Sequence, residues 1–257
     1  MTYIAYYTDD AIVKPTSIDV AIAAVIPYRL VCVDTNAGDI SRIIREINSR
    51  RVNVTISGPC DEDIVDAILS HPNRTYGLII QAPMDIRLVE RIIGGLTSLP
   101  MLFITEPSIS AIEIQLPQSI EHLVVWDGQA GATFMRNLPT MTNLKTISIR
   151  HDHALAVYTP EWIGMLIEGI AAMRRLQEIV IQLPLSIDPI PIITAMPPSI
   201  RMINVYCLGL DPKVEEMSID RFIQGATHDY PNLEMFSLGI YWRSDVDVIL
   251  KRIRGTI

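Results

Sequence analysis

The sequence has few cysteines and no long hydrophobic run, and both shortages limit what the protein can be. Its three cysteines, Cys32, Cys60 and Cys207, are odd in number and far apart. They therefore predict neither a disulfide framework nor a zinc site, and they suit a reducing compartment. The longest apolar run is the segment from Val20 to Ile26, whereas a membrane helix needs about 20 apolar residues. The sequence predicts no membrane span.

Positive charge is also scarce. Lysine and arginine number 21 against 29 acidic residues, which gives a formal net charge of -8, and no basic run occurs. This balance argues against a nucleic-acid surface. The first ten residues carry Asp9 and Asp10, where a secretory signal would have bases followed by an apolar stretch. We therefore expect an intracellular, cytoplasmic protein without a nucleic-acid partner.

Glycine-rich ligand-binding motifs are absent as well. The sequence contains no G-x-G-x-x-G, no G-x-x-x-x-G-K-[ST] and no G-x-S-x-G. The alternative fold for alternating strands and helices is a doubly wound α/β domain, which would usually carry a glycine-rich first turn at its ligand site. The sequence therefore predicts no catalytic residue and no cofactor.

An apolar pattern, L-x-x-L-x-L, recurs along the chain. In the segment "NLKTISIRHD" it places Leu144, Ile147 and Ile149 before a charged end. Good copies begin at Leu99, Ile120, Leu144, Leu176, Ile200 and Leu233, weaker copies begin at Tyr28, Arg51 and Thr75, and the weakest begins at Met1. Most starts lie close to 24 residues apart. A recurring period of about 20 to 50 residues indicates a solenoid, whose units bury their apolar faces against their neighbours.

Helical patterns fill the segments between the copies. Residues 39–48, 61–69 and 85–93 have apolar side chains at helical spacing and an aspartate placed to cap each helix. Helices are also predicted in "TPEWIGMLIEGIAAM", "SIDRFIQGA" and "SDVDVILKRI". The proline-rich "LPLSIDPIPIITAMPPS" predicts irregular chain or a single helical turn. The two long gaps, after the copies at 144 and 200, are expected to hold longer helices rather than extra strands.

This arrangement resembles the leucine-rich repeat family over nearly the whole chain, and most clearly over residues 99–238. Residues 116–120 (LPQSI) and 196–200 (MPPSI) are similar to the L-P-x-S-I segment that begins the repeat in bacterial and Phe-Asn-Ile-Pro subtypes, although that tetrapeptide is absent. The resemblance implies an α/β solenoid with one curved, mostly parallel sheet of about nine or ten strands, formed as a single domain over residues 1–257.

The sequence departs from the family at one position. In the family, two residues separate the last apolar position of the motif from an Asn or a Cys. In this sequence only Asn36 occupies that place. Proline takes the equivalent place in four copies: Pro59, Pro83, Pro107 and Pro184. The usual asparagine ladder would then be missing, so we expect an irregular solenoid.

Side-chain alternation along the strands predicts a binding face. If the fourth and sixth motif positions point into the core, the third, fifth and seventh point outward onto the concave sheet. The predicted partner-binding residues are Ile79, Met101, Phe103, Val124 and Trp126, bordered by His122 and Arg150. An exposed aromatic centre with a polar rim marks a protein interface, and Trp126 is its expected anchor. Alternatively, a terminal segment of the chain covers this face, or the register is shifted by one residue.

Three local clusters have both a functional and a structural interpretation. His151 and His153 flank Asp152 and could bind a metal, but no third ligand is in view, which favours a polar loop. Cys60 stands at a predicted helix start, where a thiol pKa is lowered, but the acids that follow oppose a thiolate and favour a structural role. Asp34 ends a strand as a ribose-binding acid would, but no glycine turn precedes it.

The sequence therefore predicts a non-catalytic module that binds another protein on its concave sheet. Two alternatives come from other classes. One is a structural subunit of a large assembly, such as a capsid or an organellar complex, which would suit a chain that is 49% hydrophobic. The other is a small α/β enzyme without a recognisable motif. No metal is predicted in any of the three.

Overall fold

The computed structural model describes residues 6–8, 11–13, 28–32, 37–46, 52–105, 114–126, 132–150, 159–184, 187, 189–208, 230–242 and 245–251. The chain divides into two compact units, Met1–Ile120 (unit 1) and Glu121–Ile257 (unit 2).

Unit 1 is an α/β unit in which parallel strands alternate with helices. Its parallel strands pair in chain order: β3 (Tyr28–Cys32), β4 (Val52–Ile56), β5 (Thr75–Ile80) and β6 (Met101–Ile104). The helices that follow the first three of them are α1 (Ala37–Glu46), α2 (Glu62–Leu69) and α3 (Ile86–Gly95), and a 3-10 turn, Pro72–Arg74, precedes β5. Near the start of the chain, β1 (Tyr6–Thr8) pairs antiparallel with β2 (Ala11–Val13).

Unit 2 continues the same alternation. Its parallel strands are β7 (His122–Trp126), β8 (Thr146–Arg150), β9 (Glu178–Pro184), β10 (Met202–Leu208) and β11 (Met235–Trp242), and the last strand, β12 (Asp245–Lys251), runs antiparallel to β11. Its helices are α4 (Ala132–Asn137), α5 (Pro160–Ala172) and α6 (Ile190–Thr194), with a 3-10 turn at Leu138–Thr140.

The apolar pattern locates the parallel strands. Every copy from Tyr28 to Leu233 begins at the first residue of a parallel strand or one or two residues before it. The fourth and sixth motif positions lie in the core, as expected: Leu102, Leu123, Val125, Ile147, Ile149, Ile179 and Ile181 are all 0% exposed. The weakest copy is wrong as a repeat, because Tyr6–Thr8 belongs to the antiparallel hairpin.

Main-chain hydrogen bonds recur where the strands of unit 2 begin. The N–H groups of the second and third motif positions both donate to the carbonyl of the second position of the preceding copy. The pairs are Lys145 and Thr146 on Glu121 (2.7 and 3.0 Å), Gln177 and Glu178 on Lys145 (2.8 and 3.0 Å), Arg201 and Met202 on Gln177 (2.7 and 2.9 Å), and Glu234 and Met235 on Arg201 (2.8 and 3.0 Å). Successive copies in unit 2 are therefore joined by one hydrogen-bond pattern, which we call the entrance ladder.

Aspartates cap two of the three predicted helices in unit 1. The Asp61 carboxylate accepts a hydrogen bond from the N–H of Ile64 at 2.9 Å, and the Asp85 carboxylate accepts one from Arg87 at 2.8 Å. These bonds satisfy N–H groups that have no partner within their own helix. Asp39 was expected to cap α1, but the helix begins two residues earlier and Asp39 lies in its first turn.

The prediction of a helix in "SDVDVILKRI" is wrong, because Asp245–Lys251 forms β12. Val246, Ile249 and Leu250 have helical spacing, but the aspartates alternate with valines at the period of a strand. Pairing with β11 along the whole of β12 selects the strand.

Two further predictions for the connecting segments agree with the structure, and a third lies on residues that are not described. Helix α5 confirms the prediction for "TPEWIGMLIEGIAAM", and the described part of this long gap, residues 159–173, contains no strand. The proline-rich segment contains a single helical turn, α6, as expected. The predicted helix "SIDRFIQGA" lies outside the described residues.

Candidate partner-binding face

Strand register distributes the predicted partner-binding residues over the two units. In unit 1, Ile79 pairs with Phe103 across β5 and β6, and Met101 pairs with Gly77. These side chains occupy the face of the sheet opposite to Leu78 and Leu102, because side chains alternate along a strand. Unit 1 therefore brings Ile79, Met101 and Phe103 together.

In unit 2, the remaining predicted residues lie on β7 and β8. His122 pairs with Thr146, Val124 with Ser148, and position 126 with Arg150. Val124 and His122 are partly exposed, whereas their neighbours Leu123 and Val125 are fully buried. The alternation is therefore the expected one in β7. Trp126 belongs to the backbone of β7, but its side chain lies outside the described residues, so its role as an anchor stays a prediction.

Ile79 does not have the exposure that the sequence suggested. It is 6% exposed, and Thr55, its register partner on β4, is 0% exposed although it stands on the same face. Met101 and Phe103, one strand further along, are half-buried. The outward side is thus closed to solvent at Thr55 and Ile79, and in unit 1 a partner could reach Met101 and Phe103 more readily than Ile79.

Gly77 marks a close approach on that same face. A Cβ atom at this position would lie 2.5 Å from Oδ1 of Asn53 and 2.8 Å from Cε of Met101. Side chains from the strands on either side therefore occupy the space above the glycine. Any larger residue at position 77 would displace Met101, one of the predicted contact residues.

The outward face of unit 2 has a central row in which buried polar residues alternate with partly exposed valines. The fifth motif positions form this row in register: Val124, Ser148, Val180 and Asn204. Ser148 is 5% exposed and Asn204 9% exposed. The third and seventh positions on either side are partly or fully exposed, and they include Thr146, Glu178, Met202, Arg150, Gln182 and Tyr206. On this face, Ser148 and Asn204 are therefore less accessible than the side chains of the two flanking rows.

Ion pairs join neighbouring copies where the strands begin. Nζ of Lys145 lies 2.7 Å from a carboxylate oxygen of Glu121, and this hydrogen bond lowers the pKa of Glu121 although partial burial acts in the opposite direction. The guanidinium of Arg201 likewise donates to Glu234, at 2.9 Å from Nε and 2.6 Å from Nη2. Charges at the second motif positions are therefore paired along the entrance ladder.

The serines of the two L-P-x-S-I segments form hydrogen bonds to the preceding copy, a role that the sequence pattern did not predict. The hydroxyl of Ser119 accepts from the N–H of Leu99 at 3.0 Å, and it lies 3.3 Å from the carbonyl oxygen of the same residue. The hydroxyl of Ser199 donates to the carbonyl of Leu176 at 2.7 Å. Each serine thus bonds to the first motif position of the preceding copy, within its own unit. The signal was the serine that the two segments share.

Of the three local clusters, only the one at Cys60 lies within the described residues. Burial raises the pKa of the Cys60 thiol to about 11, with a smaller contribution from the Asp61 carboxylate, so the thiol stays protonated at neutral pH. This agrees with a structural cysteine. His151, Asp152, His153 and Asp34 lie outside the described residues. Across the described ranges, no group of three or more His, Cys, Asp or Glu side chains could hold a metal ion.

An open cleft of about 650 Å³ lies in unit 1 between α3 and residues 114–119. Its polar lining residues include Glu90, Thr97, Gln115 and Gln118, and no histidine or cysteine contributes to it. The Ser119 hydroxyl on its wall is already bonded to the main chain of Leu99.

Comparisons with known proteins leave the family open. No protein-family model matches the chain, and no curated protein matches it. A solved structure of a protein from Bacteroides fragilis is similar over 72% of this chain and 67% of its own, with 10% sequence identity and a TM-score of 0.41. Within the described part of the chain, no helix combines the length and the apolar character needed to cross a membrane.

Proposed function

We propose that the chain is a non-catalytic recognition module, built as an irregular leucine-rich-repeat-like solenoid, which binds another protein on its outward sheet face. Two features support the solenoid. The apolar motif coincides with strand after strand, and its fourth position is buried in every copy from Arg51 to Leu233. The entrance ladder repeats the same main-chain bonds in unit 2. Such unit-to-neighbour bonding is typical of repeat proteins.

The observation that carries the binding proposal is the composition of the flanking rows in unit 2. Met202 and Tyr206 are half-buried on β10, with Glu178 exposed beside them on β9 and Arg150 exposed on β8. Methionine, tyrosine and arginine are enriched at protein interfaces. In-register parallel strands hold these side chains at fixed spacing, so they need little ordering when a partner binds.

In unit 1 the corresponding contact residues are Met101 and Phe103, which keep part of their surface exposed. Ile79 supports Phe103 from the neighbouring strand instead of meeting a partner, since only 6% of its surface is accessible. His122, Val124 and Trp126 remain in the proposed face of unit 2. The proposed contact residues are therefore those that side-chain alternation predicted, except that Ile79 packs against its neighbours and does not contact the partner.

The proposal is tested by recovering the partner from cells with a face variant and a matched control. Met202→Glu places a charge among the outward side chains, and Glu168→Lys changes an exposed charge on helix α5. Tagged wild-type protein and both variants are purified from the native cells, and associated proteins are quantified by mass spectrometry. We expect one specific partner to be lost from Met202→Glu and retained by Glu168→Lys, with similar melting temperatures for all three proteins.

Retention of every partner by Met202→Glu would contradict binding on the sheet of unit 2. Loss of the partner from Glu168→Lys alone would place the interface on the helical side instead. A large fall in the melting temperature of Met202→Glu would make its result ambiguous, so Tyr206→Ala serves as a second face variant. It shortens a half-buried side chain without introducing charge.

A further inference from the structure

We draw no further inference here: the strongest candidate, the polar side chains of Asn53 and Thr55 on the outward face of β4 and of Ser57 just after it, in which Asn53 Oδ1 and Ser57 Oγ are buried without a hydrogen-bond partner in the described part of the chain, carries none because nothing in the structure shows what covers it.

Discussion

Thr75 places a hydroxyl group where the good copies of the motif have leucine or isoleucine. The side chain is 1% exposed, and its Oγ1 has no hydrogen-bond partner among the described residues. A buried, unpaired hydroxyl costs about 1 to 3 kcal/mol of stability. We expect Thr75→Val, which keeps the shape and removes the polar atom, to raise the free energy of unfolding by about 1 kcal/mol, as measured by urea denaturation.

Thr105→Val is the matched control for this prediction. The Thr105 hydroxyl donates to the carbonyl of Ile80 at 3.2 Å, so the same substitution removes a bond that is made. We expect it to lower the free energy of unfolding by about 0.5 to 1.5 kcal/mol. If Thr75→Val also lowered the free energy of unfolding, the hydroxyl of Thr75 would have a hydrogen-bond partner in solution.

The ion pair between Glu121 and Lys145 predicts a dependence of stability on pH. Lys145 holds the pKa of Glu121 below its ordinary value of 4.5. A depressed pKa in the folded state gives stabilisation that is present above the unfolded-state pKa and is lost as the pH falls through the folded-state pKa. Because both side chains are more than a third exposed, we expect less than about 1 kcal/mol.

The measurement is a double-mutant cycle with Glu121→Gln and Lys145→Met, followed by urea denaturation. The coupling energy should be measurable at neutral pH and should decline as the pH falls through the depressed pKa of Glu121, because protonation of the carboxylate removes its charge. It should also fall in concentrated salt, since exposed charges are screened. A coupling that persisted at low pH would mean that the two side chains interact by packing rather than by charge.

Two glycines in helix α5 have opposite surroundings. A Cβ atom at Gly169 would lie 2.5 Å from Cβ of Leu138, whereas one at Gly164 would meet no described atom within 4 Å. Gly169→Ala must therefore push the helix away from the 3-10 turn, at a cost of about 1 to 3 kcal/mol. Gly164→Ala should stabilise the protein by about 0.5 to 1 kcal/mol, because alanine favours the helix.

Calorimetric unfolding of both variants tests the packing of α5 against that turn. The two substitutions are chemically identical and lie in one helix, so the difference between them reports only the local surroundings. Melting temperatures should move in opposite directions. Equal stabilisation by both would show that Leu138 does not contact the helix in solution.

At the level of elements, apolar spacing in the sequence predicted the parallel strands. Features that depend on packing against a neighbouring strand were not predicted. The strands followed from side chains such as Ile147 and Ile149, since a parallel strand buries one face by alternation. The strand β12 was not predicted because its apolar residues fit both the helical period and the strand period. Pairing with β11 selects the strand. The low exposure of Ile79 was missed because alternation gives the direction of a side chain and not what lies above it.

For the whole chain, mass in solution separates two of the proposed functions. A recognition module that folds alone should be monomeric at 28.8 kDa, whereas a subunit of a large assembly should form larger species or precipitate without its partners. Light scattering coupled to size-exclusion chromatography gives this mass directly. We expect the monomer at micromolar concentration, and a concentration-independent larger species would favour the assembly subunit.

The entrance ladder has a consequence for how this sequence can change over generations. Its bonds run from main-chain N–H groups to main-chain carbonyls, and its second motif positions hold Glu121, Lys145, Gln177, Arg201 and Glu234. Nineteen of the twenty amino acids supply the same N–H group, and proline alone lacks it. Descendants of this gene can therefore exchange acids, bases and amides at these sites without losing the bonds, so the ladder can outlast recognisable similarity in its side chains.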